Sequence, residues 1–186
     1  MEPEAFQKQH INAVLELSNI AIGQGYLTIA SLNKYINSAK YIGFVVLRNG
    51  DLVGFTLIDL LTPLEVKKTV LKDHEWFYTT LNSYDQIVFI KQTVVSSKYS
   101  NQGIGSQLVQ HSTKILNAKK NIHLSTVWQK ENSGSMPKML MKNGFLLSKI
   151  ILNYWKNDSL VKKYDCPICG RPPCKCATEV WIKKKH

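Results

Sequence analysis

A chain of 186 residues is long enough for one domain with a sizeable core. With 44% hydrophobic and 20% charged residues, its composition is that of a folded protein and excludes the disordered and fibrous classes. The formal net charge of +11 favours a polyanionic partner, but the Lys and Arg excess falls in short clusters with no basic stripe interleaved with aromatics, so nucleic acid is a minority reading.

No run reaches the roughly 18 apolar residues of a membrane span. The first residues, "MEPEAFQKQH", have neither the basic flank nor the apolar stretch of a signal peptide. A cytoplasmic protein that avoids membranes is expected.

In chain order, Phe6, Ile11, Val14, Leu15 and Leu17 share one face of a helix predicted over Glu4 to Ser18. Gly23 and Gly25 break it, and a second helix is predicted from Ser31, as cap, to Asn37. Two β-rich runs flank Asn49-Gly50, a pair suited to a tight primed hairpin turn. Pro63 then opens a short helix through "LEVKKTVLK". "DQIVFIKQTVV" reads as a buried strand ending near Val95, and a polar loop leads to Gly103-Ile104-Gly105. Ile104, Leu108, Val109, Ile115 and Leu116 line one face of a helix running to about Lys119. "IHLSTVW" is a strand, "NSGSMPKMLMKNG" a loop and short helix, "FLLSKIILNYW" a strand and "TEVWIKK" the last strand. This order predicts a single α/β (α+β) domain over residues 1–186, with a small insertion before the final strand.

A strand, a glycine loop and a helix start make an anion site, since free N–H groups point at the ligand and glycine admits close approach. No Gly-x-x-x-x-Gly-Lys-Ser/Thr run exists, which removes the nucleoside-triphosphate loop. A dinucleotide fingerprint is removed by Leu108 in place of the third glycine. The loop Ser100-Asn101-Gln102-Gly103-Ile104-Gly105, whose Gly103 is separated from Val95 by seven residues, resembles the coenzyme A site of the Gcn5-related N-acetyltransferase (GNAT) family. Asn132 after the fifth strand and "NGF" at Asn143 to Phe145 extend the resemblance across most of the chain, the cysteine cluster excepted.

The resemblance implies a mixed, largely antiparallel sheet flanked by helices, and an acetyl-CoA-dependent N-acetyltransferase. Thr93, Val94 and Val95 would then offer strand-edge groups to the pantetheine arm. Asn101, Gln102, Gly103, Ile104, Gly105 and Ser106 would wrap the pyrophosphate, aided by the helix dipole. Asn132 would contact the cofactor near its thiol end, although a plain helix cap is its other reading. A strand N–H near Val94 or Val95 could polarise the thioester carbonyl.

The carboxylate that often serves as base in that family has no counterpart, because its fourth-strand position is Phe89 and its fifth-strand position falls at Thr126 or Val127. The usual acidic Tyr is Leu140. Asp59, Asp85, Glu131 and His123 are the loose candidates, and each has a plain reading as cap, turn or surface residue, so no catalytic residue is assigned. The acceptor is an unspecified primary amine on a small molecule, a peptide or an aminoacyl-RNA. Ala21 to Thr28, Tyr154, Trp155 and Trp181 are where its groove would lie, core packing being the alternative for each. A catalytically degenerate module that binds coenzyme A or nucleic acid is the second reading, and the protomer is expected as monomer or homodimer.

All four cysteines fall in "CPICGRPPCKC". Cys166, Cys169, Cys174 and Cys176 give four soft ligands at short spacing, and Pro and Gly set a tight loop. A Cys174 to Cys176 disulfide would be strained, and an iron–sulfur cluster is less usual at this spacing. One structural Zn²⁺ in a hairpin at about residues 164–178 is expected, closed by four thiolates and so not catalytic.

Overall fold

In a computed structural model, residues 2–70, 80–118, 120–129, 135–166 and 168–184 are described. The strands are β1 (Glu4–Ala5), β2 (Tyr41–Arg48), β3 (Asp51–Leu61), β4 (Gln86–Val95), β5 (Asn121–Trp128), β6 (Leu146–Ile151) and β7 (Thr178–Lys183). They form one sheet in the order β1-β2-β3-β4-β5-β7-β6, antiparallel throughout except for the parallel β4–β5 pair. The helices with described bounds are α1 (Ile11–Ala21), α2 (Ile29–Asn37), α3 (Pro63–Thr69), α4 (Ile104–Ile115), α5 (Ser135–Lys142) and α6 (Lys156–Lys162). None is long and apolar enough to cross a membrane. The mixed, mostly antiparallel sheet with flanking helices matches the predicted fold class.

Local chemistry explains the boundaries. Asn49 and Gly50 take φ values of 53° and 85°, the left-handed pair that a primed turn needs, and Arg48 pairs directly with Asp51. Thr28, not Ser31, caps α2: its Oγ1 accepts from the Ser31 N–H at 3.1 Å, and its own N–H donates to Ser31 Oγ at 2.9 Å. Ser31 is thus the third residue of a capping box, a reciprocal role that a lone-cap reading does not see. Thr62 and Glu65 repeat the device at α3, which ends at Thr69. The remainder of the predicted helix, residues 71–72, lies outside the described residues.

The predicted first helix is two elements. Glu4 and Ala5 pair with Val45 and Phe44, and α1 begins only at Ile11. The cause is Gly43: a Cβ there would meet Phe6 Cβ at 2.6 Å, so the glycine admits Phe6 against β2, where the Phe6 N–H donates to the Gly43 carbonyl at 2.8 Å. The predicted strand through Trp155 also ends early, at Ile151, and α6 follows it.

Two layers cover the sheet. On one face Ile104, Leu108 and Val109 of α4 pack with Val46, Val53, Val88 and Ile90. On the other, Val14 and Leu32 of α1 and α2 pack with Val45, Phe55 and Leu57. A Cβ at Gly54 would lie 3.1 Å from Ile104 Cγ2, so that glycine sets how closely α4 approaches.

His123 is buried in β5 with its Nε2 unpartnered, and burial, then the Lys183 charge, lowers its pKa to about 4. Because the folded value lies below the ordinary 6.5, stability is full above pH 6.5 and falls as pH drops toward about 4. The loss should reach about 3 kcal/mol. Urea unfolding at stepped pH should show this slope in the parent protein and a flatter one in His123→Gln.

Candidate functional site

The site begins with an irregularity in β4. Leu57 of β3 pairs with Gln92, yet Ile58 pairs with Ile90, so Lys91 is an extra residue, a β-bulge. The bulge resets the alternation. Ile90 faces α4, whereas Gln92 donates from Nε2 to Ser18 of α1 at 2.9 Å and Lys91 lies over the Tyr35 ring of α2. Pairing between β4 and β5 stops at Ile90 and Ser125. Beyond it, among the described residues, Thr93 to Val95 pair only with β3, and Thr126 to Trp128 only with β7. Two strand edges therefore face each other unpaired across a split in the sheet.

Three cavities follow the split. The central one, of about 350 Å³, is bounded by Lys91 to Val95, Ser125 to Trp128, Met136 and Trp155, with Ala21, Ile22 and Tyr26 over it. It shares Thr93, Val95, Ser135 and Met136 with a cavity of about 400 Å³ on the α4 side. It shares Tyr26, Lys91, Thr126 and Trp155 with another of about 400 Å³ on the far side. Joined by these shared residues, the three cavities line up along the split and are taken together as one passage.

The α4-side cavity is lined by Ser100, Asn101, Gly103, Ile104, Gly105 and Ser106. Asn101 and Gly103 take φ values of 62° and 81°, which turn the loop into the helix. The first helical bond runs from the Gln107 N–H to the Gly103 carbonyl, so the N–H groups of Ile104, Gly105 and Ser106 precede the ladder. With the helix dipole and with Lys138 and Lys142 across the cavity, this end suits an anion. Gln102 turns elsewhere: its Oε1 accepts from Arg48 at 3.2 Å, and Arg48 lies over Tyr99. Asn143 ties the cradle to α5 by donating to Ser106 Oγ at 2.9 Å. Gly54 and the two lysines are supports that motif matching did not single out, and Asn143, matched there only as part of "NGF", proves to tie α5 to α4. Asn132 lies outside the described residues.

The far-side cavity is bounded by Asp59, Phe89 and Lys91 from the sheet and by Tyr154, Trp155, Asp158 and Lys162. The Tyr35 hydroxyl donates to Asp59 Oδ1 at 2.5 Å, and Lys91 Nζ lies 4.0 Å from Oδ2. Burial holds the Lys91 pKa below its ordinary value, with Asp59 opposing and Lys162 and Lys34 adding. Burial likewise raises the pKa of Tyr26 and Tyr154, which stay neutral.

Of the loose catalytic candidates among the described residues, only Asp59 bounds this passage. Asp85 is exposed and pairs with Lys120 at 3.5 Å, His123 lies in the core, and Glu131 is outside the described residues. Leu140 is fully buried with α4 and β4, and Trp181 belongs to the same core. Tyr154 and Trp155 do line the passage.

Cys166, Cys169, Cys174 and Cys176 place their sulfurs within 4.8 Å of one another. Individual separations are 3.3, 3.8 and 3.9 Å. Ligands at about 2.3 Å around a tetrahedral zinc sit about 3.8 Å apart, so the four thiols fit that ion. The N–H groups of Ile168 and Cys169 point at Cys166 Sγ, and that of Lys175 at Cys169 Sγ, as thiolate acceptors require. Trp155 forms one buried cluster with Cys166, Cys174 and Cys176, and Tyr26, Trp128 and Tyr154 pack against it.

The profile of the Acetyltransferase (GNAT) family matches residues 24–145. The cysteine cluster lies beyond that match. No curated protein matches significantly. Among solved structures, the chain is similar to Arabidopsis thaliana NAA60 in complex with a bisubstrate analogue, at 10% identity over 97% of this chain and 95% of that one, TM-score 0.69. It is similar also to Arabidopsis thaliana Naa50 in complex with the bisubstrate analogue CoA-Ac-MVNAL, at 16% identity, 99% and 98% coverage and TM-score 0.65. A third is the ribosomal-protein-S18-alanine N-acetyltransferase from Escherichia coli, at 12% identity, 97% and 91% coverage and TM-score 0.65. At these identities the likeness is one of fold.

Proposed function

The chain belongs to the acetyltransferase (GNAT) family and is an acetyl-CoA-dependent N-acetyltransferase; we propose that its acceptor is the α-amine of a peptide or protein. The observation that carries this reading is the passage through the split sheet, with an anion cradle at one end and an aromatic cavity at the other. Acetyl-CoA enters from the α4 side. Its pyrophosphate rests on the N–H groups of the Asn101 to Ser106 segment and its pantetheine runs along the free edge of Thr93 to Val95, while the family motif assigns Asn132 a contact near the thiol end. A β4 N–H polarises the thioester carbonyl, and the acceptor nitrogen attacks from the far side. The N–C bond forms, the C–S bond breaks and coenzyme A leaves as thiolate.

The missing base selects the acceptor. Where a carboxylate would take the ammonium proton, the sheet presents Phe89, 6% exposed. At pH 7 roughly one α-amine in seven is already neutral, against roughly one Lys amine in 2,500. A site that binds only the neutral form therefore works on chain ends and hardly on ordinary lysines. In support, Naa50 of similar fold holds CoA-Ac-MVNAL, a bisubstrate analogue. Labelled acetyl-CoA offered to peptides with free amino termini, and to the same peptides blocked there with an internal Lys, should label only the first set. Preference for the blocked set would reverse the assignment.

The four cysteines hold one Zn²⁺ within the single acetyltransferase domain of residues 1–186. The ion supplies a closed structural cross-link, and its hairpin, at about residues 164–178, backs the aromatic wall of the acceptor cavity.

A further inference from the structure

The bulge in β4 leaves a lysine in the passage that the reaction does not use. We propose that Lys91 is a site of self-acetylation, its Nζ taking the acetyl group from acetyl-CoA held by the same chain. This rests on the donor placement above, and four observations carry it further.

Lys91 bounds both the central and the far-side cavity. It stands two residues before Thr93, about 7 Å along a strand, a span that a Lys side chain covers. Its amine is held loosely: Asp59 Oδ2 is 4.0 Å away, and Tyr35, whose ring lies 5.9 Å below the ammonium, spends its hydroxyl on Asp59 Oδ1. The groups that face it are Asp59 and Asp158, which favour its charged form, and Lys162 and Lys34, which oppose it. Burial outweighs the carboxylates, so more of this amine is neutral than of a surface lysine.

The step balances without an added reagent. The neutral Nζ attacks the thioester carbon, an N–C bond forms and the C–S bond breaks. The proton lost by nitrogen passes to water and then to the departing thiolate. The products are Nε-acetyl-Lys91 and coenzyme A thiol. The acetyl amide fills part of the acceptor cavity and removes the charge opposite Asp59, so modified chains should bind acceptor less well.

The test incubates the full chain with acetyl-CoA and no acceptor, followed by intact mass and peptide mapping. The expected result is one acetyl group on Lys91, at a rate independent of protein concentration, absent in Lys91→Arg and slowed at least about tenfold in Gly105→Val. Asp59→Asn should speed it, because the carboxylate that favours the ammonium is gone. Acetyl groups scattered over exposed lysines at a rate that Gly105→Val leaves unchanged would overturn the proposal, as would a rate proportional to protein concentration. Calorimetry separates the two readings: acetyl-CoA binding without label at Lys91 sinks self-acetylation alone, and no binding sinks the donor placement with it.

Discussion

A Gly105→Val variant should fold with close to parental stability and bind acetyl-CoA about 100-fold more weakly. Gly105 lies in ordinary helical backbone at the start of α4, and a Cβ there meets only Val95 Cγ2, at 3.5 Å, an ordinary contact. Valine also has the better helix propensity, so the helical backbone favours it. The added methyls project where the N–H groups of Ile104, Gly105 and Ser106 open into the α4-side cavity. Pushing a pyrophosphate off two such donors costs about 3 kcal/mol, and hence about two orders of magnitude in affinity. Gly103 is the poorer probe, because its φ of 81° strains any side chain and confounds folding with binding. Thermal melting with calorimetric titration checks both halves. Unchanged affinity in a folded variant would move the donor out of the cradle.

What could be read in the sequence was the part that rests on local rules. The Asn49-Gly50 turn, the glycine loop that opens α4 and the clustering of the four cysteines each need particular residues at fixed spacing, and the structure has each of these local shapes. What escaped depends on distant contacts. Gly43 reads as a residue inside a strand until Phe6 packs on it, and that contact makes a strand of Glu4 and Ala5. Periodicity alone could not separate α6 from the end of β6, since the apolar run through Tyr154 and Trp155 continues past Ile151 while those two rings turn into the passage. Lys91 was invisible for a related reason: a bulge is a register mismatch with a partner strand, and one strand read alone shows no register. Hence the proposed donor end could be read from a motif, whereas the proposed acceptor end is assembled from β3, β4, α6 and the α1–α2 connection.

Replacing Cys169 with Ser should release the metal and loosen the acceptor wall while leaving the donor end intact. Cys169 is the one exposed member of the quartet, so Ser there removes a ligand without opening a core cavity, which Cys166, Cys174 and Cys176 would do. The parent chain should carry about one zinc, and the variant none. Three contacts carry the effect inward from the hairpin. The Cys174 N–H donates to Ser159 Oγ at 2.9 Å, which docks α6. Trp155, the residue before α6, shares a buried cluster with three of the cysteines and bounds the central and far-side cavities. Tyr164, fully buried, meets Tyr26 edge-on at 5.2 Å, and Tyr26 covers the same passage. Structural zinc contributes folding free energy directly, so its loss should free this sub-assembly before the sheet. Hydrogen exchange should then show residues 155–176 losing protection while β2, β3 and β4 keep theirs, with acetyl-CoA affinity unchanged. Peptide acceptor KM should rise with little change in kcat, since the wall binds the acceptor and does not touch the thioester. Full protection of residues 155–176 in metal-free protein would instead mean that the aromatic packing alone holds the wall, and the ion would have no part in acceptor binding.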